Sequence, residues 1–222
     1  MRLAWIVAAV ACSAATAPIA PIANRPLPRT PGEPFVGLFD RGRTWTLPIE
    51  VASGHHGDQH VELDRVERAV AQCTVTAART IDGAAVAAIA CAAPFDELPP
   101  TGTWIATRDG VYRSHGEPPD DASSLAFATE GKPWLATPPA ESSDSGNGEE
   151  SDWERATIRF ERGWCVRDNV GLDGDRHDET TCIERDGLVG GTTVRIGIDW
   201  KWTRAIYGAA PRDPRDYTRA AR

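Results

Sequence analysis

The chain has 222 residues and a net charge of −8, with 24 Lys and Arg against 32 Asp and Glu. That balance, with no local Lys/Arg cluster to offset it, excludes the basic surface that phosphate binding requires, so nucleic acid is not an expected partner. No segment approaches the roughly 20 apolar residues of a membrane-spanning helix, which leaves a soluble or lipid-anchored protein.

The chain opens on MRLAWIVAAVACSAATAP, where Arg2 precedes the apolar run Leu3 to Ala11. A short apolar run after one positive charge predicts a secretory signal over residues 1–11. The run ends at Ala9-Val10-Ala11-Cys12, small residues leading into a cysteine, as in a lipobox. Two outcomes stay open. Cys12 is lipidated and becomes the new N-terminus, or ordinary signal-peptidase cleavage after Ser13-Ala14-Ala15 discards it. Either leaves Cys73, Cys91, Cys165 and Cys182, an even set, from five cysteines in all. Residues 12–34 repeat proline among small residues without periodicity, which predicts an extended tether holding the folded part away from a membrane surface.

Residues 35–208 predict a single β-rich domain. Period two recurs in RTWTLPIEV, CTVTAART, AAVAAIAC, GTWIATRDGVYR, RATIRFERGWCV and TTCIERDG. Turn pairs at hairpin distance separate several of these, at Asp82-Gly83, Asp109-Gly110, Arg162-Gly163 and Asp186-Gly187. Leu63, Val66 and Val70 give the only helical rhythm, over Leu63 to Ala71. Residues 138–152, small, acidic and without large apolar groups, predict a disordered loop. Val194, Ile196, Ile198, Trp200 and Trp202 alternate with polar residues and predict one long strand. Residues 209–222 predict a loose tail. The expected fold is mainly all-β: an antiparallel, hairpin-rich sheet forming a sandwich or half-barrel, with at most a short helix. The cysteines flank turn-centred segments in two similar pairs, which predicts the bonds Cys73–Cys91 and Cys165–Cys182.

Candidate chemistry concentrates in two stretches. SGHHGDQHVE, residues 53–62, carries His55, His56 and His60 beside Asp58. Imidazoles and carboxylates suit zinc, nickel or copper, but Gly57 stands where a zinc-protease helix needs glutamate, and the composition is also that of a polar strand connection. A working site there would need help from His115, His177 or the Asp173–Asp178 stretch. DNVGLDGDRHDE, residues 168–179, offers Asp173, Asp175, Asp178 and Glu179 as oxygen ligands for calcium. Read as an EF-hand loop from Asp168, however, it has Val170 and Leu172 at liganding positions and Asp173 where glycine is required. The same residues suit a polar turn between Cys165 and Cys182. No nucleophile elbow, phosphate loop or dinucleotide fingerprint occurs, so no catalytic residue is assigned. Seven tryptophans follow the signal: Trp45, Trp104, Trp134, Trp153, Trp164, Trp200 and Trp202. They would fill a core short of Phe and Met, or line a groove on one sheet face.

The lipobox-like AVACSA, the proline tether, GRTWTLPIEV, the two cysteine hairpins and ERDGLVGG before the terminal strand together resemble exported lipoproteins of large-genome Gram-negative bacteria. The resemblance implies a β-rich fold and an envelope location, outer-membrane-anchored and facing the periplasm or the cell surface. It supplies no catalytic residues and no cofactor. The reading from sequence is a lipid-anchored envelope protein with a non-enzymatic binding or scaffolding role, its membrane contact made through Cys12. Two alternatives are a metal-dependent hydrolase on the His55–His60 loop, using zinc, and a carrier of small apolar ligands on a Trp-lined sheet face.

Overall fold

The computed structural model describes residues 33–56, 61–93, 101–114, 116–147, 151–160 and 163–208. The signal segment, most of the tether, the tail, His60 and His115 lie outside these residues, as do the side chains of His56 and Val61.

The strands are β1 (Thr44–His56), β2 (Val61–Ile81), β3 (Ala84–Ala92), β4 (Gly102–Ala106), β5 (Gly110–Ser114), β6 (Leu135–Ala136), β7 (Ser142–Asn147), β8 (Ser151–Phe160), β9 (Gly163–Leu172), β10 (Asp175–Glu184), β11 (Gly187–Ile196) and β12 (Lys201–Gly208). All join one antiparallel sheet in the order β6-β5-β4-β3-β2-β1-β12-β11-β10-β9-β8-β7. Two meanders thus run outward from a shared centre, where β1 pairs β12 with Ile49 opposite Tyr207. Of the four predicted turn pairs, Asp82-Gly83 forms the turn between β2 and β3, while Gly110, Gly163 and Gly187 of the other three already open β5, β9 and β11. At the β2–β3 turn, Asp82 and Gly83 both take positive φ (47° and 80°), which a two-residue hairpin turn requires.

The connectivity forces the sheet to curl. Twelve strands spaced about 4.8 Å apart would put the edges of a flat sheet about 50 Å from each other. Yet the edge strands β6 and β7 are joined by residues 137–141 alone, and such a link reaches about 20 Å at full stretch. The two edges are therefore brought together, and Lys132 Nζ lies 3.0 Å from Asp144 Oδ2 across the gap. The result is a curled half-barrel with an inner and an outer face.

Alternation decides which side chains enter the interior. Leu47, Ile49 and Val51 on β1 and Ala71, Cys73 and Val75 on β2 are buried, whereas Pro48, Val70 and Gln72 between them face outward. They join Trp104, Trp134, Leu135, Val166, Ile183, Leu188 and Tyr207 in one core. A kinked 3-10 segment, Glu33–Phe39, caps this packed half by inserting Phe35 and Leu38. It is held by Gly37 N–H donating to Arg185 O at 3.0 Å, in the β10–β11 turn. On the outside, a short helix α1 (Ala122–Ala128) covers Ala84, Val86, Ile105 and Tyr112 with Leu125. Asp121 caps α1 by accepting from Ser124 N–H at 2.7 Å. Among the described residues, no helix is long and apolar enough to cross a membrane.

Both expected disulfides are present. Cys73–Cys91 and Cys165–Cys182 each link residues directly opposite one another on neighbouring strands. They place the folded domain in an oxidising, non-cytoplasmic compartment.

Four expectations need correction. The stretch 138–152 is not all loop: Ser142–Asn147 forms edge strand β7 and β8 begins at Ser151, because pairing with Asp152 to Thr157 gives a polar segment the partner its own side chains do not. The alternation 194–203 is not one strand. It folds back at Gly197–Trp200, where Trp200 takes φ 61° and its N–H donates to Gly197 O at 2.9 Å, so Ile196 and Trp202 face each other in a hairpin. The rhythm of Leu63, Val66 and Val70 belongs to β2, where all three are exposed on a long strand. The Asp-rich turn shortens to Asp173-Gly174, and Asp175 and Asp178 already lie in β10.

Candidate functional site: the open interior

The inner face of β7–β12 changes character along the strands. The straight register of β8, β9 and β10 stacks it in rows. Nearest the cap, Trp164 and Ile183 join the core. One row on, Val166 lies beside Thr181, whose hydroxyl is 3.3 Å from the buried Tyr207 hydroxyl. The next row is charged, with Arg155, Asp168 and Glu179 side by side. The last full row reads Trp153, Val170, His177, Arg195 and Thr203 across β8 to β12. Beyond it stand Ser151, Leu172 and Asp175. The interior is therefore packed at one end and open at the other.

The charged row is internally matched. Arg113 reaches across the lumen from β5 and forms an ion pair with Glu179 on β10, joining the two meanders. Its guanidinium also sits 5.7 Å from the ring centre of Trp104, which packs edge-on against Trp134. Thr181 Oγ1 donates to Glu179 Oε1 at 3.1 Å. Burial pushes the Glu179 carboxyl up, but Arg113 and the Thr181 hydroxyl outweigh it and hold the group below its usual range. Arg155 Nε lies 3.0 Å from Asp168 Oδ1. There burial prevails, with the Glu179 charge acting in the same direction, and the Asp168 carboxyl is raised despite Arg155. Burial also lowers the His177 imidazole, against the pull of Glu179. His177 Nε2 is buried without a hydrogen-bond partner. Burial raises the Tyr207 hydroxyl far above its ordinary range, so it stays neutral.

The residues singled out from sequence do not form one site. His55 Nε2 is 2.9 Å from Glu62 Oε2 and its Nδ1 is 3.3 Å from Asp64 Oδ1, so both ring nitrogens already face carboxylates. His56 ends β1 opposite Val61. Asp173 sits in the β9–β10 turn, and Asp175 Oδ1 accepts the Ile198 N–H at 2.8 Å. Asp178 lies on the outer face, where Arg167 Nε is 3.0 Å from both its oxygens. Among the described residues, no group of three or more His, Cys, Asp and Glu is placed to hold a metal ion. The tryptophans divide between core and surface: Trp104 and Trp134 are buried, Trp45 and Trp164 pack partly against the core, and Trp153 and Trp200 are exposed.

Sequence reasoning missed Arg113, Arg155 and Tyr207, and it met Asp168 and Glu179 only as parts of a calcium-loop reading. One signal could have found their pairing. A two-residue turn at Asp173-Gly174 fixes Leu172 opposite Asp175, and counting outward in step places Asp168 opposite Glu179.

No known protein family matches the chain, and comparisons with curated proteins and with solved structures likewise find no match.

Proposed function

We propose that the protein is an exported, non-enzymatic binding domain, tethered to a bacterial envelope membrane through lipidated Cys12, with the open end of the half-barrel as its binding surface. One observation carries the binding role. Trp153, Val170 and Leu172 occupy inward-facing positions yet remain 42%, 44% and 54% exposed. The large apolar side chains at inner positions of the packed half are buried, and these three are left for something else to cover. The non-enzymatic reading draws support from the carboxylates beneath them, each matched by an arginine and so committed to holding the interior together. The chain enters the domain at the capped end, through Glu33–Phe39. A tether leaving from there sets the open end facing away from the membrane.

Two experiments test this reading. Cys12→Ala should move the protein from the membrane fraction to the soluble one, and labelled palmitate should mark the wild type alone; equal partitioning ends the anchor. Native mass spectrometry of the mature protein against an envelope extract should capture a small ligand whose retention falls in Trp153→Ala. Retention that ignores this substitution removes the open end as the binding surface.

A further inference from the structure

We propose that the open end binds a small organic acid carrying a ring or short apolar body, with the acid group on Arg195 and the body on Trp153, Val170 and Leu172. The inference rests on the open end being the binding surface and adds the chemical class of its ligand.

The placement follows from register. Trp153 opposes Val170, Val170 opposes His177, and His177 opposes Arg195, on four successive strands of the inner face. Directly opposed residues stand about 5 Å apart, so the row runs about 15 Å along the backbone from Trp153 to Arg195, the span of a small molecule. Leu172 is the next inner position on β9 and widens the apolar half of the row.

The charges select an acid. Inside the lumen Glu179 is matched by Arg113 and Asp168 by Arg155, and Glu67 on β2 pairs with Arg65. Asp175, at the rim, is turned to the β11–β12 loop, where it accepts the Ile198 N–H. Arg195 has no ion pair among the described residues, and it is exposed. In a chain of net charge −8, this inward-facing guanidinium is the unmatched charge of the row. Its planar fork suits a carboxylate held by two parallel hydrogen bonds. Beside it, His177 flanks the guanidinium, but its Nε2 is buried away from the opening, so the acid group rests on Arg195.

The apolar half is shaped for a flat body. The Trp153 indole lies directly on the backbone of Gly146 in β7, where a Cβ would fall 2.6 Å from its Nε1. Glycine lets the ring lie down on the edge strand, and its other face stays open for stacking. Below the row, the Arg113–Glu179 pair closes the lumen, so a ligand lies across the opening and does not enter the core.

The test uses 2-naphthoate and its neutral isostere 2-naphthamide on the full mature protein, followed by calorimetry. Naphthoate should bind roughly tenfold more tightly than the amide, the scale of one charge-assisted contact. Arg195→Gln should erase that difference with the melting temperature unchanged, Trp153→Ala should weaken acid and amide alike, and Arg68→Gln on the outer face should alter neither. Equal binding of acid and amide, no binding of naphthoate up to about 5 mM, or an undiminished preference in Arg195→Gln overturns the proposal. If naphthoate fails while a captured envelope ligand still depends on Trp153, the acid class is wrong and the binding surface stands. If no ligand depends on Trp153, both fall.

Discussion

The two ends of the half-barrel are built from the same strands and solve opposite problems. At the packed end, inner positions hold Leu47, Ala71, Ile183 and Leu188 under Phe35 and Leu38, and Cys73–Cys91 ties β2 to β3. A few residues along the same strands, the inner positions become Glu179 and Asp168, then His177, Arg195, Trp153 and Val170, and packing gives way to pairing and then to exposure. Stability is concentrated where the lumen is filled, and the open end carries groups that contribute less to folding. A binding surface and a core need not be separate elements; a long strand can pass from one to the other.

The contrast predicts a descending series of effects. Trp104→Ala removes a fully buried ring from the packed half and should cost about 4 kcal/mol in denaturant unfolding. A loss below about 1 kcal/mol would mean that this half is not where stability resides. Replacing Cys165 and Cys182 with serine together should cost about 3 kcal/mol, and reduction of the wild type, which opens both disulfides, should cost more. Arg113→Met addresses the boundary between the halves. The arginine side chain is 10% exposed and its Glu179 partner 21%, so leaving the glutamate unmatched should cost about 2 kcal/mol. Adding Glu179→Leu should recover most of that; if the double variant is no better than the single, the pair is not the link between the meanders.

A smaller effect is expected on the acid side. Burial lowers the folded-state pKa of His177, so the unfolded chain binds the proton more tightly. Its contribution is fully present above the unfolded value of about 6.5 and is lost as pH falls through and below it toward the lowered folded value. Measured against pH, the wild type should weaken over that range more than His177→Gln does. Parallel curves would place the imidazole in bulk solvent. Smallest of all, Trp200→Ser at the exposed β11–β12 turn should shift stability by no more than about 0.5 kcal/mol.

Much of the fold was legible because hairpins are local. Asp82-Gly83 and Asp186-Gly187 announce their turns, and the strands beside them follow. The disulfide pairing followed from the same geometry. What failed were segments whose state is set by a neighbour. Ser142–Asn147 has no strand-forming character of its own and takes its conformation from β8. The alternation of Val194 to Trp202 reads identically whether the chain runs straight or doubles back, since Ile196 and Trp202 keep the same face in both cases. The site was less legible still. Asp168 and Glu179 lie within reach of a register argument, but Arg113 meets Glu179 only because the sheet curls, and that follows from the whole strand order. The His55–His60 loop drew attention by composition alone, while at least His55 serves a local contact with Glu62 and Asp64.

The strand order also governs when the molecule can become whole. Every ladder except one joins strands adjacent in the chain, so each meander can zip up from its own turns as a series of local events. The exception is the pairing of the first strand with the last, Ile49 with Tyr207, at the middle of the sheet. Closing it carries the highest loop entropy in the molecule and is the slowest contact to form. Until the final strand has emerged, the two halves have no ladder between them. For a chain synthesised from its N-terminus, this is a built-in delay: the last segment to arrive completes the centre, and nothing upstream can close the sheet before it.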